Sequence, residues 1–320
     1  MTTRNLVDPE LLPGLDVFPA FELTSGSLQQ VREMSKQLRL LTPPSPKDAS
    51  IVEREVRVPG PAGAPDVRVL VYAPVGQRQD KPAVLHVHGG GYVMGDPEMS
   101  EVRNRTWASQ LGCVVASVDY RLPPESPHPG PVEDCYAALK WLHREAPRLG
   151  IDSQRIGIAG ESAGGGLAAA LALLARDRGE VNVAYQALVY PMLDDRTCVN
   201  SPRHPYTGEF GWTHDKNHFG WSCLLGCEPG SSDVSSYAVA ARADDLSRLP
   251  PTFISVGTLD LFLEEDMEYA RRLMRAGVLV ELHVYPGAYH GFELFAPQAC
   301  VTRQAVNDLA SWLQRVQQRR

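Results

Sequence analysis

The chain has 320 residues, of which 43% are hydrophobic, and its formal net charge is -7 at pH 7. This length suits one large α/β domain or two modest ones. The mildly acidic balance, without any basic block, argues against nucleic acid or an anionic membrane as the main partner. No apolar run is long enough to span a bilayer, and the proline-broken first residues make a signal peptide unexpected.

The first 50 residues are punctuated by proline and contain one amphipathic stretch, residues 28–41, with apolar positions at helical spacing. Because it precedes any strand pattern, we expect this segment to pack on the main domain as a separate piece. Phe18 and Phe21 could line a substrate pocket, although ordinary packing is the default for two isolated aromatic residues.

Strand patterns begin with two alternating stretches that flank a turn-rich segment, which predicts an antiparallel hairpin at a sheet edge. Apolar strands then alternate with helices, which predicts a mostly parallel sheet covered by helices on both faces. The hairpin strands are at 53–58 and 67–72, the later strands at 83–87, 113–118, 155–159, 185–189, 252–256 and 279–285, and the helices at 100–111, 132–148, 264–276 and 300–317.

This alternation breaks between Tyr190 and Leu249, where Pro, Gly, His, Trp and Ser surround one helical stretch at 213–225. The segment is too long for a plain connection, and it follows a strand at the sheet edge where sites form. We expect it to cap a pocket together with the N-terminal segment. The predicted division is therefore an N-terminal part of the cap (1–50), a first part of the core (51–190), a cap insertion (191–249) and a second part of the core (250–320).

The sequence Gly160-Glu161-Ser162-Ala163-Gly164 joins an apolar strand to a helix rich in Ala and Leu. In this strand–turn–helix context the Gly-x-Ser-x-Gly pattern predicts a nucleophilic serine on a sharp turn. The two glycines relieve crowding around the strained serine because they lack a Cβ. The helix dipole favours negative charge that develops at Ser162.

A serine nucleophile needs a base that takes its proton and an acid that orients the base. Parallel strands end at one edge of a sheet, and Asp260 and His290 follow the last two strands there. The chain order Ser, Asp, His fits this arrangement. His283 lies within a strand and is expected on the sheet face. Glu264 is the alternative acid, although carboxylates at the start of a helix commonly serve as caps.

The segment His88-Gly89-Gly90-Gly91-Tyr92 directly follows the central strand at 83–87. Consecutive glycines let the backbone approach a ligand and direct N–H groups at a carbonyl oxygen, and the N–H of Ala163 supplies a further donor. Each such donor typically stabilises a transition state by about 3 kcal/mol. We expect His88 to hold this loop by a side-chain hydrogen bond.

In combination, these segments resemble hormone-sensitive-lipase-type carboxylesterases, the branch of the α/β-hydrolase superfamily with a His-Gly-Gly-Gly motif, and especially its bacterial acetyl esterases and heroin esterase. The resemblance covers nearly the whole chain and includes Asp-Tyr-Arg-Leu at 119–122, Pro-Val-Glu-Asp at 131–134 and His-Gly-Phe at 290–292. Two departures are Pro123, where the family usually has Ala, and Leu261-Phe262 in place of Pro-Leu.

The resemblance implies an α/β-hydrolase fold with a mainly helical cap and an oxyanion hole formed by the N–H groups of Gly90, Gly91 and Ala163, with Gly89 shaping the turn. It also implies hydrolysis of short- to medium-chain acyl esters without a cofactor. Ser162 would attack the acyl carbon, His290 would relay the proton, Asp260 would orient the imidazole, and water would hydrolyse the acyl-enzyme. Supporting roles for residues near the elbow and its loops are also implied (Glu161, Tyr120, Arg121 and Glu125).

Two other functions stay open at this point. An amidase or small-peptide hydrolase could use the same triad, because the cap sets the leaving-group preference. A non-catalytic binder is the second alternative: the plant gibberellin receptor is similar to this family but lacks the catalytic histidine, whereas this chain has all three residues.

The remaining expectations concern the pocket, the partners and the location. Four aromatic residues are candidates for lining a substrate pocket: Tyr92, Tyr190, Phe210 and Trp212. The partner is a small-molecule ester, without nucleic acid or integral membrane association, and a homodimer could form through the late strand that begins at Leu279. The six scattered cysteines favour a reduced, cytoplasmic protein, and Cys223 and Cys227 lack the second ligand pair that a metal site would need.

Overall fold

The computed structural model describes residues 2–17, 21–41, 48–76, 79–200 and 202–318, so Phe18 and part of the N-terminal segment lie outside the described residues. Eight strands form one sheet in the order β1-β2-β4-β3-β5-β6-β7-β8. Their bounds are β1 Ile51–Val58, β2 Val67–Pro74, β3 Lys81–Val87, β4 Val114–Asp119, β5 Ile151–Glu161, β6 Gln186–Val189, β7 Thr252–Gly257 and β8 Val280–Tyr285.

The sheet is mostly parallel, as the sequence predicted. Strands β1 and β2 form the expected antiparallel hairpin at one edge, with Val58 opposite Val67. β2 is also antiparallel to β4, and every later pairing in the described sheet, from β3–β4 to β7–β8, is parallel. The carboxyl ends of six strands therefore lie along one edge of the sheet.

Helices cover both faces of the sheet. Their bounds are α1 Leu12–Val17, α2 Leu28–Leu41, α3 Glu101–Gln110, α4 Gly130–Leu149, α5 Ala163–Arg178, α6 His214–Leu225, α7 Leu263–Arg275, α8 Phe292–Phe295 and α9 Cys300–Gln318. α4, α5 and α7 contribute to one buried apolar cluster, whereas α3 and α9 contribute to another. This two-sided cover explains why the strands read as nearly continuous apolar runs.

The segment 191–249, predicted as an insertion, contains α6 and packs on the core. Trp221 of α6 is fully buried and its ring lies 5.0 Å from that of Tyr92. The N-terminal helix α2 buries Leu28 and Val31 in the same apolar cluster as α6. Within the described part of the chain, no helix is both long and apolar enough to cross a membrane.

Candidate active site

Ser162 stands between β5 and α5 with a strained backbone, φ 57° and ψ -125°. A Cβ on Gly160 would lie 2.2 Å from the Gly164 carbonyl oxygen, and one on Gly164 would lie 2.1 Å from the Val87 carbonyl oxygen. The turn therefore requires glycine at both positions. Backbone hydrogen bonds to the N–H and to the carbonyl of Ser162 help to maintain this conformation.

The structure brings Ser162, His290 and Asp260 together. The Ser162 Oγ lies 2.9 Å from the His290 Nε2, and the His290 Nδ1 lies 2.8 Å from the Asp260 Oδ2. Asp260 is 1% exposed and Ser162 7%, so both side chains are buried. With a neutral imidazole, Nδ1–H donates to the carboxylate and Nε2 accepts from the hydroxyl, which is the tautomer that a general base needs.

Two other acidic residues that follow Asp260 in the chain have different surroundings. Glu264 is exposed at the start of α7. Glu265 is buried and accepts hydrogen bonds from the backbone N–H groups of Leu193 and Asp194, at 2.7 and 3.1 Å. Among the described residues, no group of three or more His, Cys, Asp or Glu side chains is placed to hold a metal ion.

The glycine loop after β3 lies beside Ser162, since a Cβ on Gly89 would be 3.3 Å from the Ser162 Cβ. Its backbone is left-handed at Gly90 and Gly91, with φ 122° and 59°. The His88 ring donates through Nδ1 to the Gly89 carbonyl at 2.8 Å, and the Tyr120 hydroxyl donates to the His88 carbonyl at 2.9 Å. Within the described residues, the N–H groups of Gly90, Gly91 and Ala163 have no acceptor, so they are available to an oxygen of a ligand.

Residues 211 and 212 pack against the backbone of the base and against the glycine loop. A Cβ on Gly91 would lie 2.1 Å from the ring of Trp212, so this ring rests directly on the loop. A Cβ on Gly211 would lie 2.4 Å from the His290 carbonyl oxygen. The segment 210–212 therefore packs against both the glycine loop and the backbone of His290.

The four aromatic candidates for pocket lining have different environments. Tyr92 is fully buried, and its hydroxyl donates to the Met192 carbonyl at 2.8 Å. Trp212 and Tyr190 are each 4% exposed. Phe210 is half-buried, with its ring 6.3 Å from that of Tyr289. Contact of these residues with a substrate stays a prediction.

Glu161 lies in a buried polar network behind the elbow, where the family resemblance implied a supporting role but not the partners His86, Ser100 and Arg103. Its carboxylate accepts from the His86 Nε2 at 2.9 Å and the Ser100 Oγ at 2.8 Å, and it pairs with the Arg103 Nη2 at 2.6 Å. Burial acts to raise the pKa of Glu161, but Arg103 and His86 outweigh it and hold this pKa well below its usual value. The only signal in the sequence is a histidine inside the otherwise apolar β3.

Two further ion pairs involve Arg121 and Glu125, which the family resemblance implied as supporting residues. Arg121 holds Asp134 through both Nε and Nη2, each at 2.8 Å. Arg32 of α2 donates to both carboxylate oxygens of Glu125, at 2.6 and 2.9 Å, and so ties the N-terminal segment to the core.

Comparison with known proteins places the chain in a family. The model of the α/β hydrolase fold family matches residues 84–294. Esterase LipI of Mycobacterium tuberculosis is 32% identical over 94% of this chain and 92% of its own length, and carboxylesterase NlhH of the same organism is 35% identical over 91% and 90%. The solved structure of a bacterial heroin esterase matches with a TM-score of 0.93 and 38% identity, and covers 99% of this chain and 100% of its own.

The chain therefore belongs to the α/β hydrolase fold family, in the hormone-sensitive-lipase branch that its motifs resemble. Like the esterases to which it is similar, it is a carboxylic ester hydrolase.

Proposed function

We propose that Ser162, His290 and Asp260 carry out ester hydrolysis through an acyl-enzyme. The observation that carries this proposal is the unbroken hydrogen-bonded chain from the Ser162 Oγ to His290 at 2.9 Å and from His290 to Asp260 at 2.8 Å. It starts on a nucleophile elbow and ends on a buried carboxylate.

The Ser162 Oγ attacks the acyl carbon while Nε2 of His290 takes the hydroxyl proton. Asp260 stabilises the imidazolium that forms. The N–H groups of Gly90, Gly91 and Ala163 donate to the oxyanion, each contributing about 3 kcal/mol. His290 then protonates the departing alkoxide. A water molecule attacks the acyl-enzyme in the same way, with His290 again as the base.

The substrates are esters with short- to medium-chain acyl groups. Two observations support this choice. The Trp212 ring rests on Gly91, which narrows the space beside the oxyanion donors. The name of the bacterial heroin esterase indicates a substrate whose ester groups are acetyl.

The cap consists of the N-terminal segment and the insertion at 191–249. The contacts of Trp212 with the glycine loop and the bonds of Glu209 to Thr2 and Thr3 support this division. The six cysteines, all within the described residues and all free, support a cytoplasmic location. The net charge of -7 supports a small-molecule partner rather than nucleic acid.

The test measures hydrolysis of p-nitrophenyl acetate, butyrate and octanoate by the wild type and by Ser162→Ala, His290→Ala and Asp260→Asn. We expect the wild type to favour the two shorter esters and the Ser162 and His290 variants to lose at least about 10³-fold in kcat. Asp260→Asn should lose comparably, because it offers the imidazole an amide in place of an acceptor carboxylate. Glu264→Gln is the matched control and should behave as the wild type.

A Ser162→Ala variant that kept full activity would overturn the proposal. Matched ester and anilide substrates address the amidase alternative. Faster turnover of the anilide than of the ester would assign the triad to amide substrates.

A further inference from the structure

The segment 189–192 links the nucleophile to the base. The Ser162 N–H donates to the Val189 carbonyl at 2.9 Å, and the Met192 N–H donates to the Ser162 carbonyl at 2.9 Å. Between these two bonds lies Tyr190, which follows β6 with a left-handed backbone, φ 35°. Its own N–H donates to the Ser255 carbonyl of β7 at 2.6 Å. Tyr190 is therefore fixed relative to Ser162 by backbone bonds on both sides.

The side chain of Tyr190 reaches the loop that carries the base. Its ring meets the imidazole of His290 edge to face, with 4.7 Å between the ring centroids. Its hydroxyl donates to the Glu293 Oε1 at 2.7 Å. Because Glu293 lies in α8 directly after His290, this one bond joins the end of β6 to the histidine loop.

Two other rings face the same imidazole. Phe262 lies 5.1 Å and Trp212 6.3 Å from its centroid. The Trp212 Nε1 donates to Asn217 within the insertion, and Phe262 has no polar group. Of these three rings, only that of Tyr190 is bonded to the loop of His290 itself.

Glu293 also brings a second carboxyl group close to the base. Its Oε2 is buried and has no hydrogen-bond partner among the described residues. Burial raises the pKa of Glu293, while the Tyr190 hydroxyl and the nearby Arg103 act to lower it. The titratable groups around the imidazole are thus Asp260 at Nδ1 and Glu293 from α8, with Arg103 and Glu161 behind Tyr190 and Asp266 behind Asp260.

We propose that Tyr190 and Glu293 are positioning residues for His290. Their hydrogen bond holds the imidazole in line with Ser162, and the Glu293 carboxylate favours the imidazolium that forms when the serine is deprotonated. This inference rests on the proposed role of His290 as the base. It explains why a strained tyrosine and a buried carboxylate stand beside the triad.

Tyr190→Phe removes the bond and keeps the ring. We expect kcat for p-nitrophenyl acetate to fall roughly 10-fold, because a hydrogen bond to a charged group is lost, while KM stays within about twofold. Labelling of Ser162 by a fluorophosphonate should slow by the same factor, because the probe depends on the same imidazole. The melting temperature is measured in parallel.

Glu293→Gln keeps an acceptor oxygen for Tyr190 and removes the charge. An imidazole without the neighbouring carboxylate binds its proton less tightly, so the acidic limb of the kcat/KM profile should move to lower pH. Glu293→Ala removes both charge and acceptor. If the two residues act through one bond, Tyr190→Phe should cost nothing further in the Glu293→Ala background.

Tyr237→Phe is the matched control, because it breaks a similar tyrosine–carboxylate bond, 2.9 Å long, to Asp177 near the far end of α5. It should leave kcat unchanged. The inference is wrong if Tyr190→Phe raises KM alone, if its effect adds to that of Glu293→Ala, or if Glu293→Gln leaves the acidic limb in place. Full activity of His290→Ala would instead overturn the proposed function, so the two failures are distinguishable.

Discussion

Two buried carboxyl groups near the site show how the surroundings of such a group decide the direction in which its pKa shifts. Glu161 is surrounded by Arg103, His86 and Ser100, which keep it ionised. Asp266 in α7 is fully buried, and neither carboxylate oxygen has a hydrogen-bond partner among the described residues. Burial, with Glu265 and Asp260 nearby, raises the pKa of Asp266 well above its usual value.

We predict that Asp266→Asn stabilises the protein at neutral and alkaline pH. A carboxyl group whose pKa is raised in the folded state contributes stability below its unfolded pKa, and this contribution is lost as the pH rises through the folded pKa. At pH 8 the variant should therefore be more stable, by about 1–3 kcal/mol, because its amide can be buried on folding without burying a charge or taking up a proton. The difference should shrink as the pH falls toward about 4.

Urea unfolding at pH 5 and pH 8 measures this difference. Glu264→Gln changes an exposed carboxylate in the same helical turn and serves as the control. An Asp266→Asn variant that was less stable than the wild type at pH 8 would contradict the prediction.

The candidate site residues that the sequence predicted are those whose signal is local. Ser162 stands in a pentapeptide between a strand and a helix, and Asp260 and His290 each follow a strand, so topology alone brings them to one edge. Tyr190 and Glu293 are separated by 103 residues and meet only through the packing of α8 beside β6. No pattern in either segment encodes that contact, which is why the sequence offered Tyr190 only as a pocket residue.

At the level of elements, periodicity predicted the helices and strands of the core because each has one or two buried faces. The helix of the insertion, α6, was also predicted, and it begins at His214. The sequence did not predict how the insertion contacts the glycine loop, because the contact of Trp212 with Gly91 depends on irregular backbone at 202–213. The orientation of a cap follows from such contacts rather than from a repeating pattern.

Glu209 ties the N-terminal segment to this irregular backbone. Its carboxylate accepts from the Thr2 hydroxyl at 2.7 Å, and from the N–H and the hydroxyl of Thr3 at 2.6 and 2.7 Å. We predict that Glu209→Gln raises KM for p-nitrophenyl butyrate about 2- to 10-fold and leaves kcat within a factor of about two. The physical reason is that the amide nitrogen cannot accept the bonds that one of the two carboxylate oxygens now accepts, so the segment 210–212 loosens while the triad is intact.

Hydrogen exchange should quicken in residues 202–213 of the same variant. Glu228→Gln is the control within the insertion, since Glu228 is exposed and pairs with the partly exposed His218. If Glu209→Gln lowers kcat without changing KM, the tie acts on the chemistry and not on substrate binding.

The strands at the two edges of the sheet bear on how the whole molecule can assemble. The strand at one edge, β1, alternates charged residues such as Glu53, Arg54 and Arg57, which discourage pairing with a second sheet. The strand at the other edge, β8, presents Val284, which is 36% exposed, and follows Leu279, which is 64% exposed. An antiparallel pairing of two β8 strands across a two-fold axis would cover this edge.

We propose that the protein forms a homodimer through β8 and predict that Val284→Lys dissociates it, because a charge at the pairing edge opposes burial. Light scattering coupled to size exclusion should give a dimer mass for the wild type and a monomer mass for the variant. Val52→Lys on β1, where Val52 is 52% exposed, is the matched control and should stay dimeric. Ester hydrolysis should persist in the Val284→Lys monomer, because the triad lies within one chain. A monomeric wild type, or dissociation by Val52→Lys alone, would rule out pairing through β8.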